Sequence, residues 1–485
     1  MNNTENIASM TRTLQNTAWV ASQRATLIVC GLLFVVVVPR LMGVLVYGRF
    51  ALLIFLSSWS IMLSTLGLVR MLSRYLPEQL VREEYERART LFGNALTVRV
   101  LVAVPVAVGY VLIAGLVVPD ADLLTRGLAG GMTLVWSING ILFSLPLGHN
   151  QAARWGFSFL ARRWLILLIA PVGYLLGGLP GAMAGLFAIE ILLLCLGIYW
   201  ARSYIRIATL RIDPSRFAPF FRFGLTLFPG SIMHATFRNI GAVLVGFACV
   251  DPAQVGFFSA SFGIYLAAEA ACFQIVQSLV PFLSELTVRG QHADVRRWAE
   301  TLIRSATVLA MPALFGSLFL AHHAVALLFG HDYLPMARNL WPIALLLLAI
   351  IPAAVASLLA VVLERPGSAT ISAAVRLGVF LGISLPLTAR HGSFGTCLAL
   401  VAATSVYVVF FYWQLRTSIR LPWRRWAAAI VTGSLFTPLV MLRGSLISNV
   451  ALFLFSTCTY AVLVMVLGII ARAEIRNVWG ILRRR

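Results

Sequence analysis

Two charged side chains of opposite sign lie deep inside long apolar stretches of the sequence. Arg238 and Glu269 each occupy the middle of such a stretch. At a helical rise of ~1.5 Å per residue, they fall about 16 Å and 21 Å from the outer ends of two sequential helices. An arginine at that depth costs ~2.5 kcal/mol or more unless it faces water or a partner. We therefore expect either a cavity in which Arg238 contacts an anionic group and Glu269 titrates or gates, or a structural ion pair.

Further arginines lie near the inner ends of other apolar stretches, with Arg24, Arg99 and Arg376 inside them and Arg304 at a flank. Singly, each could extend its guanidinium to the membrane interface. Together they would make an inward-open cavity cationic, and guanidinium groups suit bidentate contacts with phosphate oxygens. The predicted substrate-binding residues of this cationic cavity are Arg24, Arg99, Arg238, Arg376 and Arg304.

Glu190 is the one acidic residue in the middle of an apolar stretch in the first half of the chain. Its carboxylate is either a counter-ion to Arg24 or Arg99, or a site that couples transport to a proton or cation. His234 precedes Arg238 by one helical turn on the same face, where it could tune that site or serve as a hydrogen-bonded packing residue. The predicted coupling or gating residues are Glu190, Glu269 and His234.

No arrangement of residues predicts catalysis, a metal site or a cofactor. His322 and His323 are adjacent, which places their side chains about 100° apart on a helix and does not suit a shared metal ion. The six cysteines are scattered and lack metal-ligand spacing. Nucleophile–base pairs, phosphate loops and dinucleotide-binding glycine motifs are missing from the sequence. We predict a protein that is not an enzyme and that transports on an ion gradient, a membrane potential or substrate flux.

The composition predicts a chain that crosses a membrane many times, because it is 60% hydrophobic and 11% charged. An apolar run of about 20 residues spans the ~30 Å hydrocarbon core of a bilayer. We predict an all-α polytopic fold of fourteen transmembrane helices. The predicted spans are 19–38, 50–69, 91–118, 127–147, 164–179, 181–200, 223–249, 255–282, 305–328, 340–363, 370–387, 394–415, 426–442 and 446–471.

The basic residues orient these spans. All 38 are arginine, and 30 of them lie in the terminal segments or in every second gap, against six in the opposite gaps. By the positive-inside rule, the arginine-rich gaps and both termini are cytoplasmic. One of these inner gaps, after the fourth span, contains Arg162 and Arg163. Nucleic-acid binding, the other explanation of a net charge of +21, requires a soluble domain that the sequence lacks.

The two halves of the chain share a pattern near their first pair of spans. The segment LMGVLVYGRFALLIF begins at Leu41, and CVDPAQVGFFSASFGIY begins at Cys249. Parallel repeats of this kind are a common plan for transporters. We predict a six-helix bundle over 1–200, a cytoplasmic interfacial linker over 201–222, and a second six-helix bundle over 223–415. Residues 416–485 then form two extra helices and a basic amphipathic tail.

Two stretches of the chain resemble a known family. PRLMGVLVYGRFALLIFLSSWSIMLSTLGLVRMLSRYLPE, from Pro39, resembles the N-terminal signature of bacterial polysaccharide flippases. In that signature an Arg-x-x-Gly loop and a Tyr-Gly pair precede the second span, and Leu-Gly-Leu with a basic residue closes it. FGLTLFPGSIMHATFRNIGAVLVG and QVGFFSASFGI resemble the start of the family's second half. The resemblance implies the O-antigen (Wzx-like) kind of the multidrug/oligosaccharidyl-lipid/polysaccharide exporter superfamily.

The resemblance also implies a function. Such flippases are expected to move undecaprenyl-pyrophosphate-linked oligosaccharides from the inner to the outer leaflet of the bacterial cytoplasmic membrane, by alternating access of two six-helix bundles. Membrane lipids, a polysaccharide polymerase and glycosyltransferases are the expected partners, with no nucleic acid. The alternatives are an ion-coupled multidrug exporter of the same superfamily, a lipid II-type flippase and a non-transporting membrane scaffold. The excess of arginines over acids within the spans favours an anionic cargo over cationic drugs.

Overall fold

Every regular element in the described part of the chain is helical in the computed structural model. The described residues are 3–149, 151–205, 214–277, 279–363, 366–416, 423–442 and 444–468. The helices of the first half are α1 (Asn3–Thr65), α2 (Leu68–Val81), α3 (Tyr85–Val117), α4 (Leu123–Leu142), α5 (Ser144–Gly148), α6 (Ala152–Ala201) and α7 (Pro214–Ala248).

The second half continues as α8 (Ala253–Gln277), α9 (Val280–Val288), α10 (His292–Phe319), α11 (Ala321–Leu328), a 3₁₀ helix (His331–Asn339), α12 (Leu340–Val362), α13 (Pro366–His391), α14 (Ser393–Leu415), α15 (Trp423–Ser434), a second 3₁₀ helix (Thr437–Leu442) and α16 (Leu446–Val466). The predicted amphipathic tail lies beyond residue 468, outside the described residues.

Among the described residues, ten helices are long and apolar enough to cross a membrane, and a shorter apolar helix covers Ala427–Leu442. Two of the ten, α1 and α6, contain a break and each carry two of the predicted spans. The seventh predicted span falls on α7, whose apolar character is diluted by His234, Arg238 and Asn239. Each predicted span thus overlaps a helix, and the prediction of an all-α polytopic membrane fold is confirmed.

The first break is a reversal of the chain at Gly43. This residue has a φ of 71°, in the left-handed region that favours glycine. The rings of Phe34 and Phe50 lie only 6.2 Å apart, whereas sixteen residues of straight helix would separate them by about 24 Å. The first two spans therefore form an antiparallel hairpin, and a single glycine turns the chain where the sequence predicts a loop.

The second break makes a hairpin of α6 at Gly177 and Gly178, the latter with a φ of 60°. A methyl group placed on Gly181 would lie 2.1 Å from the carbonyl oxygen of Gly173, so the two backbones touch there. The helix also begins at Ala152, twelve residues before the predicted start of the fifth span. Arginines that the sequence places in an inner gap therefore lie on this helix.

The chain divides into two compact units, 1–256 and 257–485. The first unit includes α7, and its hydrophobic core contains Leu72 and Leu76 of α2 and Phe92 of α3. In the second unit, Phe315 of α10 and Tyr460 of α16 belong to one core. The sequence predicts bundle boundaries at 200, 222 and 415, which divide the chain differently from these two units. That predicted division into bundles stays a prediction.

One face of α3 is a continuous apolar surface. Leu101, Val108, Leu112 and Leu116 recur at helical spacing, and each is more than half exposed. Such a face requires a hydrocarbon environment, because a soluble helix covers its apolar stripe. The chain is a multi-pass membrane protein.

Candidate functional site

A buried ion pair lies within the first unit, between the two arms of the α6 hairpin. Arg162 Nη2 donates to Glu190 Oε2 over 2.9 Å, and their side chains are only 16% and 2% exposed. Asn139 of α4 donates to the same carboxylate oxygen over 2.8 Å and to the backbone carbonyl of Glu190 over 3.0 Å. The carboxylate is therefore held by one charged and one neutral donor.

The counter-ion of Glu190 is thus Arg162. Arg99, which the sequence offered as one possible counter-ion, does not pair with Glu190. The side chain of Arg24 lies outside the described part of the structure. Arg162 reaches Glu190 because α6 begins early enough to place this arginine inside the helix. Whether Glu190 couples transport to an ion stays a prediction.

A second guanidinium, that of Arg163, lies next to this pair. Arg163 is close enough to Arg162 and to Arg238 of α7 for the positive charges to interact. Arg162 stacks over the ring of Trp136 at 5.1 Å, and Arg163 over the ring of Phe159 at 5.5 Å. These aromatic faces favour the guanidinium groups at partly desolvated positions. We call Arg162, Arg163 and Arg238 the arginine cluster.

The arginine cluster includes one guanidinium, that of Arg163, that Glu190 does not neutralise. Glu190 bonds Arg162, and within the described part of the chain Arg163 has no ion-pair partner. Arg238 is half-buried, and His234, one turn earlier on α7, is exposed. The charge of Arg163, unpaired within the described residues, can therefore attract an anionic group, and the contact with substrate predicted for Arg238 stays a prediction.

Arg99 is the most deeply buried arginine of the first unit, with 1% of its surface exposed. Its Nε donates to the backbone carbonyl of Ser137 on α4 over 2.8 Å, and its Nη2 to that of Ile61 on α1 over 3.4 Å. Both partners are carbonyl dipoles rather than carboxylates. The structure therefore joins Arg99 to two neighbouring helices, and its predicted contact with substrate stays a prediction.

The second unit contains a buried network around Arg376 of α13. The hydroxyl of Tyr265 donates to Glu269 Oε1 over 2.9 Å and is also hydrogen-bonded by Arg376. Arg376 Nη2 donates to Thr404 Oγ1 over 2.9 Å, and its guanidinium stacks over the ring of Tyr407 at 5.3 Å. Glu269 and Arg376 are thus joined through one phenol.

Arg304 of α10 is also buried, with 3% of its surface exposed. The structure places it in the second unit, whereas the arginine cluster and Arg99 belong to the first. The predicted pairing of Arg238 with Glu269 would join residues of different units and stays a prediction. The roles of Arg304, Glu269 and His234 in transport likewise stay predictions.

Comparison with known proteins supplies the deciding observation. Residues 178–338 match a family described as "Polysaccharide biosynthesis protein". The structure of the lipid II flippase MurJ in its inward closed conformation is similar with a TM-score of 0.70 at 13% identity, over 93% of this chain and 100% of that one. The chain has the fold of the multidrug/oligosaccharidyl-lipid/polysaccharide exporter superfamily.

Multidrug transporters of the superfamily have the same fold. An inward-facing multidrug resistance MATE family transporter is similar with a TM-score of 0.65 at 12% identity, over 83% of this chain and 94% of that one. A MATE in complex with MaL6 has a TM-score of 0.55 at 14% identity, over 83% and 96%. No curated protein matches in sequence. The resemblance to the superfamily noted in the sequence is confirmed.

Sequence reasoning missed two members of the arginine cluster in this exporter fold, Arg162 and Arg163. Both precede the tryptophan at which the fifth span was expected to begin. Arginines at such a boundary are typical of the inner interface. The available signal was the long aromatic and apolar segment before them, which includes Phe157 and Phe159 and indicates a helix that begins earlier.

Proposed function

We propose that this protein is a flippase that moves undecaprenyl-pyrophosphate-linked oligosaccharide from the inner to the outer leaflet of the bacterial cytoplasmic membrane. It works by alternating access, has both termini in the cytoplasm and serves synthesis of a cell-envelope polysaccharide such as O-antigen or exopolysaccharide. The observation that carries the proposal is the arginine cluster, in which Arg162 is paired with Glu190 and Arg163 lies within electrostatic range of both Arg162 and Arg238.

The chemistry of the arginine cluster suits a pyrophosphate. Guanidinium groups form bidentate hydrogen bonds with phosphate oxygens, and charge-assisted bonds are shorter and stronger than neutral ones. Excess positive charge inside a membrane protein is costly unless it serves an anionic partner. A lipid-linked pyrophosphate supplies that partner within the membrane, where its polyprenyl chain can remain in the lipid.

The comparisons support this class of cargo over others. The matched family takes its description from polysaccharide synthesis, and the similar lipid II flippase is named for a lipid-linked cargo. The MATE transporters support an ion-coupled multidrug exporter as the alternative. We prefer the flippase because a cationic drug would be repelled by the arginine cluster.

The proposal is tested by reconstituting the full chain into liposomes with a fluorescent undecaprenyl-pyrophosphate-linked oligosaccharide and measuring its appearance in the outer leaflet. Replacing Arg163 or Arg238 by alanine should lower the rate at low cargo concentration about 10- to 100-fold, since a hydrogen bond to a charged group is worth about 1.5–3 kcal/mol. Arg289→Ala, which removes an exposed arginine paired with Glu285, is the matched control.

The alternative functions give different results in the same vesicles. A multidrug exporter would move a cationic dye and leave the lipid-linked sugar in place. Unchanged sugar translocation in both cluster variants would overturn the role of the arginine cluster. The partners expected for such a flippase, a polysaccharide polymerase and glycosyltransferases, would be sought by co-purification.

A further inference from the structure

The second arm of α1, residues 43–65, lies alongside α7. At mid-height, the indole nitrogen of Trp59 donates to Thr236 Oγ1 over 2.9 Å. At either end of this arm the backbones themselves come into contact, at glycines. All of these residues belong to the first compact unit.

The inner contact joins Gly67 to Gly224 of α7. Gly67 follows the end of α1 and has a φ of 74°. A methyl group on Gly67 would lie 2.0 Å from the carbonyl oxygen of Gly224, and one on Gly224 would lie 3.0 Å from the carbonyl oxygen of Gly67. Only glycine permits this approach, because any Cβ on Gly67 would overlap a backbone atom.

The outer contact joins the start of the same α1 arm to the start of α8. A methyl group on Gly256 would lie 2.2 Å from the carbonyl oxygen of Val44, and one on Gly48 would lie 3.0 Å from the backbone nitrogen of Gly256. Gly48 and Gly67 are nineteen positions apart, which corresponds to about 29 Å of helix. The two glycine contacts are therefore separated by the ~30 Å thickness of a hydrocarbon core.

Arg99 holds the helix that leads to the inner contact. The carbonyl of Ile61, in the last turns of α1, accepts from Arg99 and from the hydroxyls of Ser64 and Thr65. The next residues leave the helix, with Leu66 at a φ of 43° before Gly67. By tying Ile61 to α4 through Ser137, Arg99 fixes the direction in which Gly67 leaves α1.

We propose that the Gly67–Gly224 and Gly48–Gly256 contacts are the inner and outer gates of the transporter, and that Arg99 is the positioning residue of the inner gate. The inference rests on the proposed function only in requiring alternating access. Each gate must separate in turn for cargo to enter or leave, and a side chain that prevents closure shifts the population toward the state open on that side.

The test uses side-specific labelling of one cysteine. A full-length protein with its six cysteines replaced carries Thr236→Cys, and a membrane-impermeant maleimide is applied from either face of oriented vesicles. Gly67→Ala should raise labelling from the inner face relative to the outer face about tenfold, which corresponds to a shift of about 1.4 kcal/mol between the two states. Gly256→Ala should shift the ratio in the opposite direction.

The chain offers two matched controls. Gly290→Ala places a side chain at a similar positive φ of 73°, yet nothing lies within 4 Å of the added methyl. Gly246→Ala adds a methyl on α7 with its nearest neighbour at 3.7 Å, an ordinary contact. Both should retain the labelling ratio of the parent protein.

Arg99→Lys should reproduce the inner-face labelling of Gly67→Ala, because an ammonium cannot replace the guanidinium fork between two carbonyls. Labelling is measured without cargo, so it is independent of whether the cargo is a lipid-linked sugar. Loss of sugar transport with an unchanged ratio in Arg99→Lys would overturn the positioning role. Equal labelling ratios in Gly67→Ala and Gly256→Ala would overturn the two gates.

Discussion

Arg162 bonds Glu190, 28 positions later in the chain, across the α6 hairpin. Arg376 bonds Thr404 across the α13–α14 hairpin at the same separation of 28 residues. Both arginines also stack on aromatic rings, Arg162 on Trp136 and Arg376 on Tyr407. Each half therefore contains an arginine that bonds across a helical hairpin, and the two arginines have different partners. The first half provides a carboxylate, and the second a hydroxyl plus the phenol that leads to Glu269.

Removing the charge of Glu190 should destabilise the first unit. Glu190→Gln leaves the buried guanidinium of Arg162 without its counter-ion, and breaking a buried pair in this way costs about 3–5 kcal/mol. The measurement is the thermal unfolding midpoint of the purified protein in detergent. The double variant with Arg162→Gln should recover part of the loss, because neither charge then remains buried.

Glu285→Gln is the control for this comparison. It breaks an ion pair with Arg289 in which both side chains are more than half exposed, 58% and 64%. Such a pair is worth about 0–1 kcal/mol. If Glu190→Gln and Glu285→Gln lower the midpoint equally, the buried pair does not stabilise the fold as argued.

Removing the hydroxyl of Tyr265 should affect the second unit. Tyr265→Phe takes away the group between Glu269 and Arg376, and a hydrogen bond to a charged partner contributes about 1.5–3 kcal/mol. Tyr460→Phe serves as the control, since its hydroxyl donates to the neutral carbonyl of Ala429 and its loss should cost about 0.5–1.5 kcal/mol. Unfolding midpoints in the reverse order would contradict the bridging role.

Arg163→Gln should weaken cargo binding without unfolding the protein. Its guanidinium has no ion-pair partner in the described structure, so its loss leaves no unpaired carboxylate behind. We expect the KM for the lipid-linked sugar to rise about tenfold or more. Transport kinetics and the unfolding midpoint are measured together. A large fall in the midpoint with an unchanged KM would assign Arg163 to stability instead.

Acid should destabilise the first unit through His149. Burial, and then the charge of Arg154, lower the pKa of His149 from its ordinary value of 6.5, and its ring nitrogen bonds the Tyr204 hydroxyl over 2.6 Å. The unfolded state therefore binds the proton more readily than the folded state. The contribution of neutral His149 to stability is complete above pH 6.5. It falls as the pH drops toward the lowered pKa of the folded state.

Unfolding midpoints of the parent protein and of His149→Phe, measured between pH 7.5 and pH 5, check this dependence. The parent should lose more stability than the variant as the pH falls below about 6.5. Parallel curves for the two proteins would show that His149 is not the titrating group.

The helices and their order follow from the length of the apolar stretches, because a bilayer requires about 20 residues per pass. The length of an apolar stretch does not predict which residues pair with its buried charges. Arg162 sits at a sequence boundary typical of an inner loop, and only the early start of α6 brings it to Glu190. Likewise, the sequence predicts a loop between residues 38 and 50, but not that the chain reverses at the single residue Gly43, because that depends on how the two helices meet.

The hairpin turns at Gly43 and at Gly177–Gly178 have a consequence for how other molecules meet the protein. On the face that the arginines predict to be external, the chain returns into the bilayer after one or two residues. At these two turns, an antibody or a protease approaching from outside would find almost no backbone standing above the lipid headgroups. Epitope tags for studies of topology are therefore better inserted in the longer turn around the 3₁₀ helix His331–Asn339.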